Sequence, residues 1–304
     1  MNQFNKIKTI LVKDFNSVES HIQWINNNRA NKHDYRLYPT KVIRFDFSYS
    51  RFLKPYHIAP LACVIHEYQD KGFKIQLVNI PIAIKTYFDN FNFNQFCNKI
   101  DNNNFPKPLD NKTLPLWRID KTGINLYPKQ AQEYFEGNHL SGKDLFVLSV
   151  SLAELMNNIF DHSLSKIPGY TFTQLTTRNN QVITCVCDFG LGIPRNVNNF
   201  LHKNGNPHLP YDAGLRTALE STFSTLSKPH NRGFGWNTIF SCITRIKSKL
   251  LVVSNNALYW LLENGQVKSE LLNMNFPGTL VVVYINTLNL MPKEEELTDE
   301  LIIL

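Results

Sequence analysis

The side chains best suited to chemistry lie in one stretch, Ser141 to Ser163, which reads SGKDLFVLSVSLAELMNNIFDHS. Glu154, Asn158 and Asp161 follow one another at spacings of four and three residues, so a helix would place them on one face. The rest of that helix is mainly apolar, and a carboxylate and a carboxamide on a largely buried helix are costly unless something satisfies them. A hydrated Mg²⁺ ion would suit both groups, because it prefers hard oxygen ligands and keeps several waters.

Three further blocks have residue types that bind the other parts of a nucleotide. DFGLGIP begins with Asp188 at the end of a predicted strand, and its glycines let the backbone turn sharply and approach a ligand closely. The Asp188 carboxylate can accept a hydrogen bond from an exocyclic amine such as that of adenine. NRGFGW opens a predicted helix, whose free N–H groups and dipole favour a phosphate, and Arg232 adds a positive charge there. In PGTL, Thr279 begins a strand and could hydrogen-bond a base or a water molecule.

Each block also has an ordinary structural interpretation. Glu154 with Asn158 could be a surface patch on a helix, and a lone DxGxG is more often a turn. A lone GxG before a helix lacks the spacing of a Rossmann or P-loop motif, and Thr279 alone indicates nothing. The interpretation as one site therefore depends on the order of the four blocks. ExxxN on a helix, DxGxG after a strand, GxG before a helix and GT before a strand follow one another over about 130 residues.

The elements that must position these blocks alternate between helices and strands. The first block is predicted to lie on one helix, capped at Ser141 and carrying an apolar stripe at three-and-four spacing. Asn179-Asn180 and Asn264-Gly265 predict tight hairpins. The stretch 195–232 is rich in Asn, His, Gly and Pro, has one short helical piece and predicts a functional lid. The apolar stripe of the predicted helix over 141–163 consists of Leu145, Leu148, Leu152, Leu155 and Ile159. The predicted helices cover 128–136, 141–163 and 235–247, and the predicted strands cover 170–178, 181–188, 250–254, 257–263, 266–272 and 279–286.

The N-terminal part alternates strand and helix, which predicts a small α/β unit. Strands are predicted over 8–12, 42–47 and 73–80, and helices over 18–27, 60–71 and 81–91. The Asn-, Pro- and Lys-rich composition of 101–127 predicts a linker between two domains. The predicted organisation is a small α/β domain over 1–105, a linker over 106–127, a second α/β domain over 128–290 and a tail over 291–304.

The ordered set of four blocks resembles the GHKL ATPase superfamily, which includes gyrase, mismatch-repair and chaperone ATPases, histidine kinases and anti-sigma serine kinases. The resemblance covers about residues 128–288. It implies a two-layer α/β sandwich of the GHKL (Bergerat) type, with ATP held between the sheet and a lid. The sequence shows neither the dimerisation helices of a sensor kinase nor a gyrase-type transducer domain, so the anti-sigma serine kinase branch is the most similar.

The resemblance implies a role for each block. Asn158 would coordinate the Mg²⁺ that bridges the phosphates, and Glu154 would be the general base. Asp188 would bind the adenine amino group, with Thr279 supporting it through water. The other implied nucleotide-binding residues are Gly190, Gly192 and Ile193 in the adenine block, Arg232, Gly233, Phe234 and Gly235 in the lid block, and Asp161 and His162 at the α/β-phosphate end. His162 has an alternative role as a residue at the helix C-terminus that interacts with the helix dipole.

A second, weaker resemblance concerns residues 40–100, which are similar in pattern to a STAS-type domain of anti-anti-sigma regulators. That family carries an Asp-Ser-Ser-Gly stretch whose serine is phosphorylated. The corresponding stretch here is Lys54, Pro55, Tyr56 and His57, so the phosphoacceptor is missing. The resemblance implies a domain that docks a partner or its own ATPase domain. A generic small α/β domain is the alternative.

Composition favours an ordinary globular protein. The formal net charge is +7, but Lys and Arg are scattered, which is typical of a solvated basic surface. The five cysteines form no metal-binding pattern and predict reduced core thiols. No segment reaches the roughly 18 apolar residues of a membrane helix, and the apolar run at the N-terminus is too short for a signal peptide. The expected location is the cytoplasm.

We therefore expect an Mg-ATP-binding regulatory protein of the anti-sigma type, either an ATPase or a serine-kinase-like signalling protein. Its expected cofactors are ATP and Mg²⁺, and its expected partner is a protein or regulator, with an oligomer compatible with the sequence and no membrane partner. The alternative is a non-catalytic module in which ATP orders the lid and exposes or hides a partner-binding surface. Nucleic-acid binding depends only on the net charge and ranks last.

Overall fold

The chain is a mixed α/β protein with one parallel and one antiparallel sheet. The computed structural model describes residues 6–98, 112–220 and 235–293, and the statements below refer to those residues. None of the helices in these ranges combines the length and the apolarity needed to span a bilayer.

The N-terminal part contains a three-stranded parallel sheet in the order β1-β2-β3, as its alternating strands and helices predict. The strands are β1 (Lys8–Lys13), β2 (Val42–Tyr49) and β3 (Lys74–Val78), and the helices are α1 (Val18–Asn28), α2 (Asp34–Leu37), α3 (Pro55–Asp70), α4 (Ile82–Asn90) and α5 (Phe93–Cys97). The predicted start of α3 at Pro60 is wrong, because the helix begins at Pro55 and Pro60 lies inside it. Every residue from 57 to 65 is buried, so tertiary packing outweighs the loss of one helical hydrogen bond at Pro60.

The second part contains a five-stranded antiparallel sheet in the order β4-β5-β6-β8-β7. The strands are β4 (Trp117–Ile119), β5 (Gly169–Thr176), β6 (Gln181–Asp188), β7 (Lys249–Leu261) and β8 (Val267–Asn286). Both predicted hairpins are confirmed, since Asn180 (φ 49°) and Gly265 (φ 79°) adopt the left-handed conformation that tight turns require. Four strands predicted over 250–286 form only two. In β7 the polar residues after Ser254 make a bulge rather than a break, and β8 continues without a break from Val267 to Asn286.

Five helices accompany this sheet: α6 (Lys121–Asn138), α7 (Phe146–His162), α8 (Ile193–Lys203), α9 (Tyr211–Glu220) and α10 (Gly235–Arg245). The predicted cap at Ser141 is wrong. Helix α7 begins at Phe146, whose backbone N–H donates to Asp144 Oδ1 at 2.8 Å. The preceding residues pair instead with the segment after β8, where Asp144 N donates to the carbonyl of Met291 at 2.8 Å.

Two other expectations about this part also change. Helix α6 begins at Lys121 rather than at 128, and β4 and the first turns of α6 occupy part of the predicted linker. The predicted lid contains two helices, α8 and α9, rather than one short helical piece. The lid residues 221–234 and the tail residues 294–304 lie outside the described residues.

The antiparallel sheet separates two apolar cores. Along β6, Val182 and Val186 face a core formed with α6, α7, α9 and α10, whereas Ile183, Cys185 and Cys187 face a core shared with the N-terminal part. Helix α3 packs directly on this second face, and its Cys63 Sγ lies 3.8 Å from the carbonyl oxygen of Cys187. The sheet is therefore covered on both sides, and all five cysteines are free thiols.

Candidate functional site

Burial of its apolar stripe sets the rotation of α7. Leu145, Leu148, Leu152, Leu155 and Ile159 are all buried, as their spacing predicts. This orientation leaves Glu154 and Asn158 half-buried beside the core, whereas Asp161 on the next turn is exposed. The helix thus presents a carboxylate and a carboxamide, one turn apart, toward the interior.

Three polar side chains form a row across the end of the sheet that faces α7. Asp188 on β6 lies opposite Thr279 on β8, and Thr279 lies opposite Ser254 on β7. Since residues opposite one another in adjacent strands project from the same face, these three side chains are neighbours. Ser254 Oγ lies 2.9 Å from Thr279 Oγ1 and donates to the carbonyl of Gly278 at 2.9 Å.

Asp188 is a buried carboxyl group with a raised pKa. It is 2% exposed, and burial raises its pKa to about 7. Backbone N–H groups of Gly190, at 2.6 Å, and of Thr279 donate to the carboxylate and partly offset this rise in pKa. A ligand amine that donates to Asp188 would stabilise the charged form further.

The loop after Asp188 is packed so closely that two of its glycines are required. Leu191 N donates to the carbonyl of Ser163 at the end of α7, at 2.6 Å. A Cβ at Gly190 would overlap that same carbonyl oxygen. Gly192 has φ 86°, and a Cβ there would lie 2.6 Å from the Asn255 side chain. The DxGxG block thus joins β6 to the end of α7 through contacts that no larger residue permits.

The first turn of α8 is held against β7 by two residues that the sequence analysis did not select. Ile193 N donates to Ser254 Oγ at 2.8 Å. Asn255 Oδ1 accepts from Arg195 N at 3.3 Å, and Asn255 Nδ2 donates to the carbonyl of Leu191 at 3.1 Å. Their only sequence signal is a polar interruption, SNN, in the apolar run LLVVSNNALYW.

A cavity of about 40 Å³ lies between α7, the row of polar residues, α8 and the start of α10. It is lined by Leu155, Asn158, Ile159, Ser163, Asp188, Gly192, Ile193, Asn196, Trp236, Thr279 and Val281. Five of the predicted site residues are therefore brought together: Asn158, Asp188, Gly192, Ile193 and Thr279. Asn196 and Trp236 are further lining residues that the sequence analysis did not select. Asn158 Nδ2 is buried in this wall without a hydrogen-bond partner among the described residues. An unpaired buried amide of this kind is suited to a polar ligand.

Glu154 contacts the start of α10 beside this cavity. A Cβ on Gly235 would lie 2.5 Å from Glu154 Oε2, so only a glycine allows this approach without movement of the carboxylate. Burial raises the pKa of the Glu154 carboxyl above its ordinary value. The first and third sequence blocks thus meet through Glu154 and Gly235.

The remaining predicted residues are not joined to this cavity. Asp161 is exposed and is not part of the lining. His162 is the last residue of α7, and its side chain is not among those the structure describes. Arg232, Gly233 and Phe234 lie outside the described residues, so the phosphate-lid prediction stays a prediction.

A magnesium ion fits this donor set only together with a nucleotide. Within the described ranges, no group of three or more His, Cys, Asp or Glu side chains could hold a metal ion. Mg²⁺ is usually bound through one or two protein ligands, with phosphate oxygens and water completing its coordination. The half-buried Asn158 carboxamide beside Glu154 matches that requirement.

No protein-family model, curated protein or solved structure matches this chain.

Proposed function

We propose that this chain is an Mg-ATP-binding regulatory protein of the GHKL type. The observation that carries the proposal is that Asn158, Asp188 and Thr279, from three separate sequence blocks, line one cavity. Each block alone has an ordinary structural explanation, but those explanations do not require the three to meet.

Adenine recognition is assigned to the row at the end of the sheet. Asp188 would accept a hydrogen bond from the exocyclic amine, which only donates, and the buried carboxylate would gain a partner for its charge. Gly190 and Gly192 hold the loop close enough for the base to contact backbone. Thr279 supports this arrangement because it lies beside Asp188 and is itself hydrogen-bonded to Ser254.

The phosphates are assigned to the space between Asn158 and the start of α10. The first described turn of α10 would offer backbone N–H groups and the positive end of the helix dipole, which favour an anion. The Asn158 carboxamide would hold Mg²⁺, which would neutralise phosphate charge. Arg232, Gly233 and Phe234 precede this helix and complete the proposed lid block.

Glu154 is assigned the role of general base. Burial raises its pKa, which makes its carboxylate form a better proton acceptor than an exposed carboxylate. It would activate water for ATP hydrolysis, or a serine hydroxyl of a protein partner for phosphoryl transfer.

An ATP-gated binding module is the second candidate, and the size of the cavity favours it. Ligand pockets usually measure about 300–1,000 Å³, whereas this one measures about 40 Å³. Nucleotide binding must therefore move wall elements such as α8 or Trp236, and that movement could expose or hide a partner surface. Protection of residues 193–220 from hydrogen exchange on addition of Mg-ATP would support gating, and unchanged exchange would contradict it.

The proposal also covers the domain organisation that the sequence predicts. Residues 128–290 would be the GHKL domain and residues 1–105 the STAS-like domain, with a protein partner and a cytoplasmic location. The three-stranded parallel α/β unit and the helical layer on α7's side of the antiparallel sheet support this assignment.

Phosphate release from Mg-ATP tests the enzymatic form of the proposal. We expect Glu154→Ala to slow release at least about 100-fold, the lower end of the usual contribution of a general base. ATP affinity should stay within about threefold, because the base acts on the nucleophile rather than on the nucleotide. Glu133→Ala, which removes an exposed carboxylate from α6, should behave as wild type. Equal release by wild type and Glu154→Ala contradicts the base assignment.

A further inference from the structure

A second cavity lies on the opposite face of the antiparallel sheet, where the N-terminal α/β unit packs on it. It measures about 170 Å³, and its walls come from α1, the start of α3, β7 and β8. Leu280 lines this cavity, whereas its neighbours Thr279 and Val281 line the first one. The two cavities are thus separated by the thickness of the sheet, and neither ligand would contact the other.

Two residues in the wall of this second cavity each carry a buried polar atom that has no hydrogen-bond partner among the described residues. His21 is 4% exposed, and its Nε2 has no hydrogen-bond partner in the described part of the chain. Trp260 Nε1 is likewise buried and unpaired there. An indole N–H only donates, and an imidazole protonated at Nε2 also donates. Each of these donors lacks an acceptor among the described residues, so both are suited to a ligand with acceptor atoms.

The charges around the cavity favour an anionic acceptor. The described residues of the lining include no Asp or Glu, but they include Lys54 and a second imidazole, His57. His57 Nδ1 accepts from Lys54 N at 3.1 Å, so the other ring nitrogen of neutral His57 bears its proton. Burial lowers the pKa of His21 to about 3, and no neighbouring carboxylate offsets that burial. A cation would find no carboxylate in this lining, whereas a carboxylate would receive donors.

The size and the remaining walls favour an aromatic ring. An apolar cavity of about 150 Å³ is large enough to bind benzene, and this one is slightly larger. The ring of Phe15 lies 4.5 Å from that of His21 and 4.9 Å from that of His57, and Phe276 and Leu280 complete the apolar surface. Such walls pack well against one flat ring.

We propose that this cavity binds a small aromatic carboxylate of one ring. The ring lies among Phe15, Phe276 and Leu280, and the carboxylate accepts hydrogen bonds from Trp260 Nε1–H and from His21 protonated at Nε2. The site is independent of the nucleotide assignment, because none of its lining residues belongs to the first cavity.

Isothermal titration of the full chain with three ring compounds of similar size tests this proposal. Benzoate should bind one-to-one with a millimolar or lower dissociation constant, benzamide at least about tenfold more weakly and toluene more weakly still. Equal affinity for benzoate and benzamide, or tighter binding of toluene, would overturn the assignment of a carboxylate. Absence of binding by all three would overturn the site.

Two variants test the proposed hydrogen-bond donors, Trp260 and His21. Trp260→Phe and His21→Phe each keep an aromatic ring but remove one donor, and each should weaken benzoate binding at least about tenfold, the loss of one hydrogen bond to a charged group. His33→Phe, at an exposed position, should not. Circular dichroism checks folding, and if His21→Phe does not fold, Trp260→Phe decides alone. Unchanged affinity in a folded Trp260→Phe variant would overturn the proposed donor.

Discussion

Asp188→Asn keeps the shape of a buried side chain and removes its charge. Burial raises the pKa of Asp188 from 3.8 to about 7. The folded state therefore binds more protons than the unfolded state between these values, so this group makes stability fall as pH rises from about 4 to 7. A shift of about three pKa units, at about 1.36 kcal/mol each, corresponds to up to about 4 kcal/mol of unfolding free energy. This contribution is present at low pH and is lost in full above about pH 7.

Asp188→Asn should not show this loss of stability as pH rises. We expect the free energy of unfolding of Asp188→Asn, minus that of wild type, to increase by up to about 4 kcal/mol between pH 4 and pH 8. His21 and His57 also titrate differently in the folded state, but they are present in both proteins and cancel in the difference. Urea unfolding followed by circular dichroism measures the free energy of unfolding of both proteins at each pH. A difference that is constant or decreases with pH would refute the reasoning.

The same variant should bind ATP worse although it loses less stability than wild type between pH 4 and pH 8. Loss of a charged hydrogen-bond acceptor predicts about a 10- to 100-fold weaker affinity for Mg-ATP by titration calorimetry. Asp70→Asn removes a charge from the exposed end of α3 and should bind as wild type. A smaller loss of stability with rising pH combined with weaker binding is expected where a buried charge is kept for a ligand. Unchanged ATP affinity would remove Asp188 from the site.

Two glycine substitutions extend the test. Gly235→Ala places a Cβ 2.5 Å from a mobile carboxylate oxygen, so we expect stability within about 1 kcal/mol of wild type but at least a tenfold fall in phosphate release. Gly214→Ala, whose new Cβ has its nearest contact at 3.7 Å, should change neither stability nor phosphate release. Equal phosphate release by Gly235→Ala and Gly214→Ala would count against the contact between Gly235 and Glu154. Gly190→Ala meets a backbone carbonyl that cannot move aside, so we expect a loss of about 2 kcal/mol or more and of ATP binding. Gly137→Ala, with nothing within 4 Å, should melt as wild type or higher, and similar melting of these two variants would contradict the packing argument.

Features encoded by short-range pattern were predicted well from the sequence. The stripe from Leu145 to Ile159 is buried because helical spacing leaves it no other face. The turns at Asn180 and Gly265 form because those residues tolerate positive φ. The alternation of strands and helices before residue 98 likewise specifies a parallel α/β unit.

Features that depend on distant residues were predicted poorly. Ser141 has the composition of a cap, but the backbone after it pairs with Met291, so α7 starts later. Pro60 normally begins a helix, yet burial of its surroundings extends α3 back to Pro55. Composition alone suggested a linker where β4 and the start of α6 lie.

The candidate site shows the same division. Residue type and spacing selected Asn158, Asp188 and Thr279, which share the cavity. Ser254 and Asn255 were missed because their importance comes from the register of β7 with β8 and from contacts with α8. No local pattern encodes such contacts.

The position of the adenine base in a crystal of the protein grown with Mg²⁺ and a non-hydrolysable ATP analogue tests the central claim most directly. We predict the exocyclic nitrogen of adenine at about 3 Å from a carboxylate oxygen of Asp188, the usual length of such a hydrogen bond. A nucleotide bound elsewhere, or an adenine amine that points away from Asp188, would contradict the proposed function.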